Sequence, residues 1–124
     1  MRLLVCGSRT WSDYRRLRRT LEATVAGRQA EDVTVIEGGA RGADRMAGHL
    51  ACMHGWGLEV YPAHWEQEGR GAGFRRNSRM LREGRPELVV AFTVGPLAGS
   101  RGTADMVRRA RAAGVPVHIV TSQP

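Results

Sequence analysis

Arginine and glycine occur together in three turns of this sequence, and that combination can bind an anion. The turns span residues 7–11 (GSRTW), 37–44 (EGGARGAD) and 99–105 (GSRGTAD), and each contains one arginine, at Arg9, Arg41 and Arg101. A guanidinium offers a planar fork of donors that fits a phosphate or a carboxylate. Glycine lets backbone N–H groups at a helix start come close to an anion. We therefore predict a site for a ligand that carries phosphate.

The residues predicted to bind this ligand come from the three turns and from one tryptophan that could stack on a base. They are Gly7, Ser8, Arg9, Gly38, Gly39, Ala40, Arg41, Gly42, Ala43, Asp44, Ser100, Arg101, Gly102, Thr103 and Trp65. Asp44 and Asp105 fall in the first turns of predicted helices, where we expect a carboxylate to cap the helix. Binding of a ribose hydroxyl, or acid–base chemistry, is the alternative for both aspartates.

Several familiar sites are excluded by residue type or spacing. The chain has no lysine, which a P-loop requires, and its first turn reads GSRTWSD rather than the GxGxxG of a dinucleotide fingerprint. No G-x-S-x-G elbow is present, so acyl chemistry is not predicted. The histidines and the two cysteines do not have the spacing of a metal site. We predict neither a metal nor a cofactor.

Apolar runs and helical patterns alternate along the chain. The predicted strands are residues 3–6, 33–36, 58–61, 88–92 and 115–120, and the predicted helices begin at Ser12 or Asp13, after Gly42, at 74 and at 103. Residues 64–73 are predicted to form a loop. This order predicts a Rossmann-like three-layer α/β sandwich with a mostly parallel five-stranded sheet and about four helices. In such sheets ligands bind beyond the carboxyl ends of the strands, where all three turns fall.

Length and charge indicate how many domains the chain forms and which kinds of partner and location are expected. With 124 residues the chain is expected to form one domain. A formal charge of +7, carried by arginine alone, favours a polyanionic partner, with single-stranded nucleic acid as one option. No apolar run approaches the length of a membrane span, and the start of the chain does not resemble a signal peptide. A cytoplasmic protein without a membrane partner is therefore expected.

An ordered series of motifs resembles the SLOG superfamily, which joins Smf/DprA proteins with LOG-type phosphoribohydrolases. The series reads GSRTWSD, EGGARGADRMA, YPAHW, AGFRRNSRM and GSRGTADMVRRA, and within the superfamily it is most similar to the small YspA-type family. The resemblance implies a nucleotide or nucleotide-derived ligand. It also implies roles for Arg76 and Asn77, because the LOG pattern RKxxM is matched by Arg76 and Met80 with Asn77 at the lysine position.

The same resemblance leaves the activity open. In the LOG pattern PGGxGTxxE, Met106 stands where the glutamate belongs, and Asp105 lies one residue early, about 100° away on an ideal helix. Three hypotheses follow. The first is a sensor or carrier of a nucleotide-derived molecule. The second is an N-glycosidic hydrolase that uses Arg76 with Asp105, Asp44 or Glu37 as its carboxylate. The third is single-stranded nucleic-acid binding. LOG-type relatives associate through helices, so a homo-oligomer is a further expectation.

Overall fold

The computed structural model describes residues 1–123 and contains a parallel sheet of five strands. The strands are β1 (Arg2–Gly7), β2 (Thr34–Glu37), β3 (Gly57–Val60), β4 (Leu88–Val94) and β5 (Val117–Ser122). Their order across the sheet is β3-β2-β1-β4-β5, and every neighbouring pair is parallel. The predicted Rossmann-like α/β architecture is confirmed.

Helices connect the strands and cover both faces of the sheet. They are α1 (Tyr14–Thr24), α2 (Ala43–His54), α3 (Trp65–Glu68), α4 (Ala72–Gly84) and α5 (Arg101–Ala112). Asp13 caps α1 as predicted, because its carboxylate accepts a hydrogen bond from the N–H of Arg16 at 3.0 Å. None of the helices in residues 1–123 is both long and apolar enough to cross a bilayer.

The loop predicted for residues 64–73 is wrong in part. The single-turn helix α3 lies there, since the carbonyl of His64 accepts hydrogen bonds from the N–H groups of Gln67 and Glu68 at 3.1 and 2.8 Å. A 3₁₀ turn over Gly69–Gly71 then leads directly into α4, which begins at Ala72 rather than at residue 74. Glycine and polar composition predicted a loop, whereas local backbone hydrogen bonds form two short helical turns.

Alternation along β1 divides the core into two layers. Leu3 and Val5 face α1 and α2, whereas Leu4 and Cys6 face α4 and α5. The helices contribute buried side chains at helical spacing, namely Leu17, Leu21, Ala47, Leu50 and Ala51 on the first face and Met80, Met106, Val107 and Ala110 on the second. Burial of one such large apolar side chain contributes about 1.5–3 kcal/mol, so both helical layers are held firmly on the sheet.

Strand order reverses between β1 and β4, and this opens a crevice at their carboxyl ends. The chain passes from β1 to β2 on one side, while β4 leads to β5 on the other. Gly7 ends β1 at this point, and a Cβ there would collide with the carbonyl oxygen of Phe92 and lie 2.8 Å from the Cβ of Ala43. Glycine thus allows β1, β4 and the start of α2 to meet closely beneath the crevice.

Candidate functional site

The crevice is a cleft with two lobes. The first lobe has a volume of about 470 Å³ and is bordered by the turn after β1, the start of α5, one face of α4 and Asp44. The second lobe has a volume of about 340 Å³ and is bordered by the turn after β2, by residues 62–63 after β3 and by Trp65. Arg9, Ala40 and Arg76 line both lobes, so they form the neck between them.

The turn after β1 is fixed by Ser8 and leaves its next two residues open. The hydroxyl of Ser8 accepts a hydrogen bond from the N–H of Val94 at 3.0 Å, and its own N–H donates to the carbonyl of Phe92 at 2.8 Å. Arg9 and Thr10 are exposed, and within residues 1–123 their N–H groups have no hydrogen-bond partner. Ser8 therefore joins two strand ends, while Arg9 and Thr10 present donors to the first lobe.

The start of α5 forms the facing wall of the first lobe. Ser100 precedes the helix but does not cap it, because its hydroxyl donates to the hydroxyl of Thr103 at 2.8 Å instead of accepting from a backbone N–H. The first-turn N–H groups are consequently not occupied by a side chain, and the helix dipole adds partial positive charge there. A Cβ at Gly102 would stand in open space, so the backbone is accessible from the cleft.

The turn after β2 uses its own N–H groups internally. Asp44 accepts hydrogen bonds through one carboxylate oxygen, Oδ2, from Gly38 at 3.1 Å and from Ala40 at 3.3 Å. Glu37 accepts the N–H of Gly39. Three successive donors are therefore taken by two buried carboxylates, and this part of the turn offers an anion no backbone cradle. Asp44 stabilises the turn in front of α2 rather than capping the helix, contrary to the expectation from sequence.

The second oxygen of Asp44 faces the first lobe. Oδ1 makes no hydrogen bond within residues 1–123, and in the same residues no fully buried side-chain oxygen or nitrogen lacks a partner. Because Asp44 lines the first lobe, Oδ1 is open to the cleft and can accept a hydrogen bond from a ligand.

Arg76 connects α4 to the turn after β2. Its Nη1 donates to the carbonyl of Gly38 at 2.7 Å, and its Nε donates to Oδ1 of Asn77 at 3.1 Å. The guanidinium rests on Gly38, where a Cβ would collide with Nη1 and lie 2.7 Å from Cζ. Nη2 has no hydrogen-bond partner within residues 1–123. Arg76 thus holds the turn with part of its fork and keeps a donor for the neck of the cleft.

Burial shifts the titration of the two carboxylates that hold the turn. Loss of hydration raises the pKa of Asp44 to about 6, against the opposing effects of Arg76 and of the two backbone N–H groups. Loss of hydration also raises the pKa of Glu37 to about 7, while its hydrogen bond from Gly39 acts in the opposite direction. Both groups therefore titrate near neutral pH, Asp44 inside the cleft and Glu37 behind it.

Asp105, a predicted catalytic carboxylate, lies outside the cleft. Its two oxygens accept hydrogen bonds from Arg108 at 2.7 Å, from Arg109 at 2.8 Å and from the amide of Asn77 at 3.0 Å. The same amide donates to the carbonyl of Gly102 at 3.0 Å. These contacts of Asp105 join α5 to α4. Asp105 therefore neither caps α5 nor lies where it could contact a ligand in the cleft.

Most of the remaining predicted residues do line the cleft. Gly42 and Ala43 do not, since Gly42 packs against the backbone of Arg9 and Ala43 is fully buried under the turns. Sequence reasoning missed several lining residues, namely Cys6, Thr10, Arg45, Pro62, Ala63, Met80, Val94 and Gly99. Pro62 and Ala63 belong to the YPAHW motif and Arg45 belongs to the EGGARGADRMA motif, so these three residues could have been found there.

The charge around the cleft is strongly positive. Five arginines line it, and Asp44 is the only carboxylate among the lining residues of the described chain; the arginines are Arg9, Arg41, Arg45, Arg76 and Arg101. Residues 1–123 contain no group of histidine, cysteine or acidic side chains arranged to hold a metal ion. The arrangement suits an anion that is bound by arginine and backbone donors.

Comparison with known proteins gives two matches. The model of the YspA, cpYpsA-related SLOG family matches residues 1–67, which include β1, β2, β3 and the first two glycine-rich turns. The Gene 61 protein of Mycobacterium phage D29 is 38% identical over 125 aligned positions, which cover 94% of this chain and 93% of that protein. No solved structure matches the chain significantly.

Proposed function

The chain belongs to the YspA, cpYpsA-related SLOG family, and on that premise we propose that its cleft binds a nucleotide or nucleotide-derived molecule as a sensor or carrier. The observation that carries the proposal is the first lobe, which Arg9, Arg76 and Arg101 line together with the uncapped start of α5. A phosphate in this lobe would meet cationic side chains and free backbone N–H groups together.

The magnitudes are sufficient for useful affinity. A charge-assisted hydrogen bond from an arginine contributes about 1.5–3 kcal/mol, and a helix start adds about 0.3–1 kcal/mol. Two such arginine contacts with the start of α5 approach the roughly 8 kcal/mol of a micromolar dissociation constant. Phosphate recognition in the first lobe can therefore rest on arginine side chains and backbone donors.

Asp44 supplies the polar contact that a sugar would use. Its free Oδ1 borders the same lobe as Arg76 and Arg101, so a ligand whose phosphate lies at α5 can direct a hydroxyl toward the carboxylate. The charge of inorganic phosphate at this position would be repelled by the carboxylate, whereas a sugar hydroxyl is neutral and can donate a hydrogen bond to it. This pairing of donors and one acceptor favours a sugar phosphate over inorganic phosphate.

The test is ligand binding with a matched pair of variants on α5. Thermal-shift and calorimetric titration with nucleoside monophosphates should show stabilisation, because a ligand at a hundredfold its dissociation constant adds about 2.7 kcal/mol. Gly102→Val places a side chain in the open space of the first lobe and should abolish binding while the fold is retained. Ala112→Val, at the exposed far end of the same helix, should bind like the parent.

Two results would contradict the proposal. If Gly102→Val and Ala112→Val bound nucleotides equally well, the start of α5 would not be the phosphate site. The second result is a parent protein that binds no mononucleotide but binds oligonucleotides, with log affinity falling against log salt by about 0.7 per neutralised phosphate. Single-stranded nucleic-acid binding would then replace the proposed function.

Hydrolysis of an N-glycosidic bond is the second candidate, and one observation favours it. Of the three carboxylates considered from sequence, Asp44 lines the cleft beside Arg76, and its pKa of about 6 leaves it largely ionised at neutral pH. A carboxylate there could stabilise the positive charge that develops on the sugar. The expected products are free base and a sugar phosphate, and chromatography of the bound nucleotide after incubation checks for them. Asp44→Asn should stop any such release.

A further inference from the structure

The second lobe has a composition unlike that of the first. Pro62, Ala63 and the half-exposed ring of Trp65 form an apolar wall, and Arg41 and Arg45 lie on the same lobe. The edge of the ring approaches α4, since a Cβ at Gly73 would lie 3.5 Å from its Cη2 atom. A half-exposed aromatic ring with cations beside it suits a planar, electron-rich group such as a nucleobase.

A phosphate alone is a poor occupant for this lobe. The N–H groups of Gly38, Gly39 and Ala40, which border it, already donate to Asp44 and Glu37. A phosphate there would find arginine side chains but no backbone cradle from these residues. The second lobe therefore differs from the first in what it can recognise: a base and the charge next to it rather than a phosphate held by backbone N–H groups.

The cations are spread along the cleft instead of being gathered at one end. Arg101 belongs to the first lobe, Arg41 and Arg45 to the second, and Arg9 and Arg76 to the neck that both lobes share. Each lobe is by itself within the size range of small-molecule sites, about 300–1,000 Å³. A mononucleotide that fills the first lobe would leave Arg41 and Arg45 without an anion and the tryptophan ring without a base.

We infer that the ligand has two nucleoside ends, one in each lobe, joined by a phosphate bridge that extends from the start of α5 to Arg9 and Arg76 at the neck. This inference rests on the proposed function and narrows it to dinucleotides and related nucleotide conjugates with a diphosphate bridge. Trp65 stacks on the second base, and Arg45, which is held in place by its hydrogen bond to the carbonyl of Gly39 at 3.2 Å, faces the charge next to it.

The experiment compares two probes on the whole chain. Calorimetric titration measures AMP, GMP, CMP and UMP, each against the dinucleoside diphosphate that carries the same base. The dinucleoside diphosphate should bind about 5- to 150-fold more tightly than its mononucleotide, because stacking on an aromatic ring is worth that much per base. Trp65→Ala and Arg45→Gln should each remove most of this advantage and change mononucleotide affinity by less than about twofold.

The controls are an aromatic and an arginine outside the cleft. Phe74→Ala removes another partly exposed ring, and Arg82→Gln removes another exposed arginine, both on α4. Neither should alter the ratio of the two affinities. If the two probes bound with equal affinity, or if Trp65→Ala weakened both equally, the inference would be wrong. Binding of a mononucleotide would in that case still support the proposed function. Failure of the parent protein to bind any probe would overturn both.

Discussion

The turn after β2 and the turn that leads into α5 both follow a parallel strand, contain several glycines and an arginine, and enter a helix. The backbone N–H groups of the two turns differ in whether side chains accept their hydrogen bonds. In the turn after β2, Asp44 and Glu37 accept the N–H groups of three successive residues. At the start of α5, no side chain caps the helix, and the nearby carboxylate of Asp105 is bound by Asn77, Arg108 and Arg109.

Glycine spacing alone therefore does not make a phosphate site. Glycine brings N–H groups within reach of an acceptor, but a neighbouring carboxylate on the same chain competes with any anionic ligand for them. In the turn after β2, the carboxylates of Asp44 and Glu37 are these acceptors, and they hold a wall of the cleft. At the start of α5 no side chain accepts from the N–H groups, so a ligand can do so.

The largest effect is expected from Gly42, which begins the helix after the β2 turn. Its φ is +81°, and a Cβ would collide with the carbonyl oxygen of Ser8 and lie 2.7 Å from that of Arg9. Gly42→Ala should lower the free energy of unfolding by about 3 kcal/mol or more, since backbone strain adds to a clash with backbone atoms. Urea denaturation measures the loss. Gly99→Ala, where a Cβ would meet nothing within 4 Å, should leave it within about 1 kcal/mol.

Arg76 holds the turn after β2 and borders both lobes, and its loss should act mainly on binding. Arg76→Ala removes the donor to Gly38 and the free Nη2 at the neck, so the affinity for a bound nucleotide should fall by about 10- to 150-fold. Arg82→Ala, an exposed arginine on the same helix, should have no effect. Arg76→Lys should recover part of the loss, because it keeps the charge without the planar fork. If Arg76→Ala bound nucleotide as tightly as the parent protein, Arg76 would not be part of the binding site.

The carboxylates of the β2 turn should make stability depend on pH. The pKa of Glu37 is raised to about 7 in the folded protein from an ordinary 4.5, so the folded state binds the proton more tightly than the unfolded state. The free energy of unfolding should therefore fall as pH rises from about 5 to about 8. Glu37→Gln keeps an acceptor for Gly39, removes the titration, and should raise stability at pH 8 by roughly 1–3 kcal/mol.

The matched controls lie at the other turn and on the surface. Ser100→Ala, at the start of α5, and Glu66→Gln, an exposed carboxylate of α3, should both keep the pH profile of the parent. Chemical denaturation at several pH values checks all four proteins. A parent whose stability rose steadily between pH 5 and pH 8, with the same profile in Glu37→Gln, would contradict the assignment of Glu37.

Alternating apolar runs were enough to predict the parallel sheet, because the buried strands are continuous in Val, Leu and Ile and each is followed by a helical pattern. The same pattern placed the arginines of the three turns at one edge of the sheet. It could not show that Asp44 turns back to Gly38, or that Asn77 and two arginines of α5 surround Asp105. Those contacts depend on side-chain direction and on pairing between distant segments, which residue type and spacing do not encode.

The smallest effects are expected from one glycine-to-alanine substitution in each of the two turns. Gly102 lies in the first turn of α5 with open space around its Cα, so Gly102→Ala should raise the free energy of unfolding by about 0.5–1 kcal/mol. Gly39, in the β2 turn, has a φ of +77°, and Gly39→Ala should instead cost about 1–2 kcal/mol. Thermal denaturation of the two variants measures both signs. If Gly102→Ala is more stable and also binds nucleotide more weakly, the glycine is retained for the ligand rather than for the fold, because alanine would otherwise be the better residue there. A stabilised variant with full affinity would show that the start of α5 tolerates a side chain, and would move the phosphate away from it.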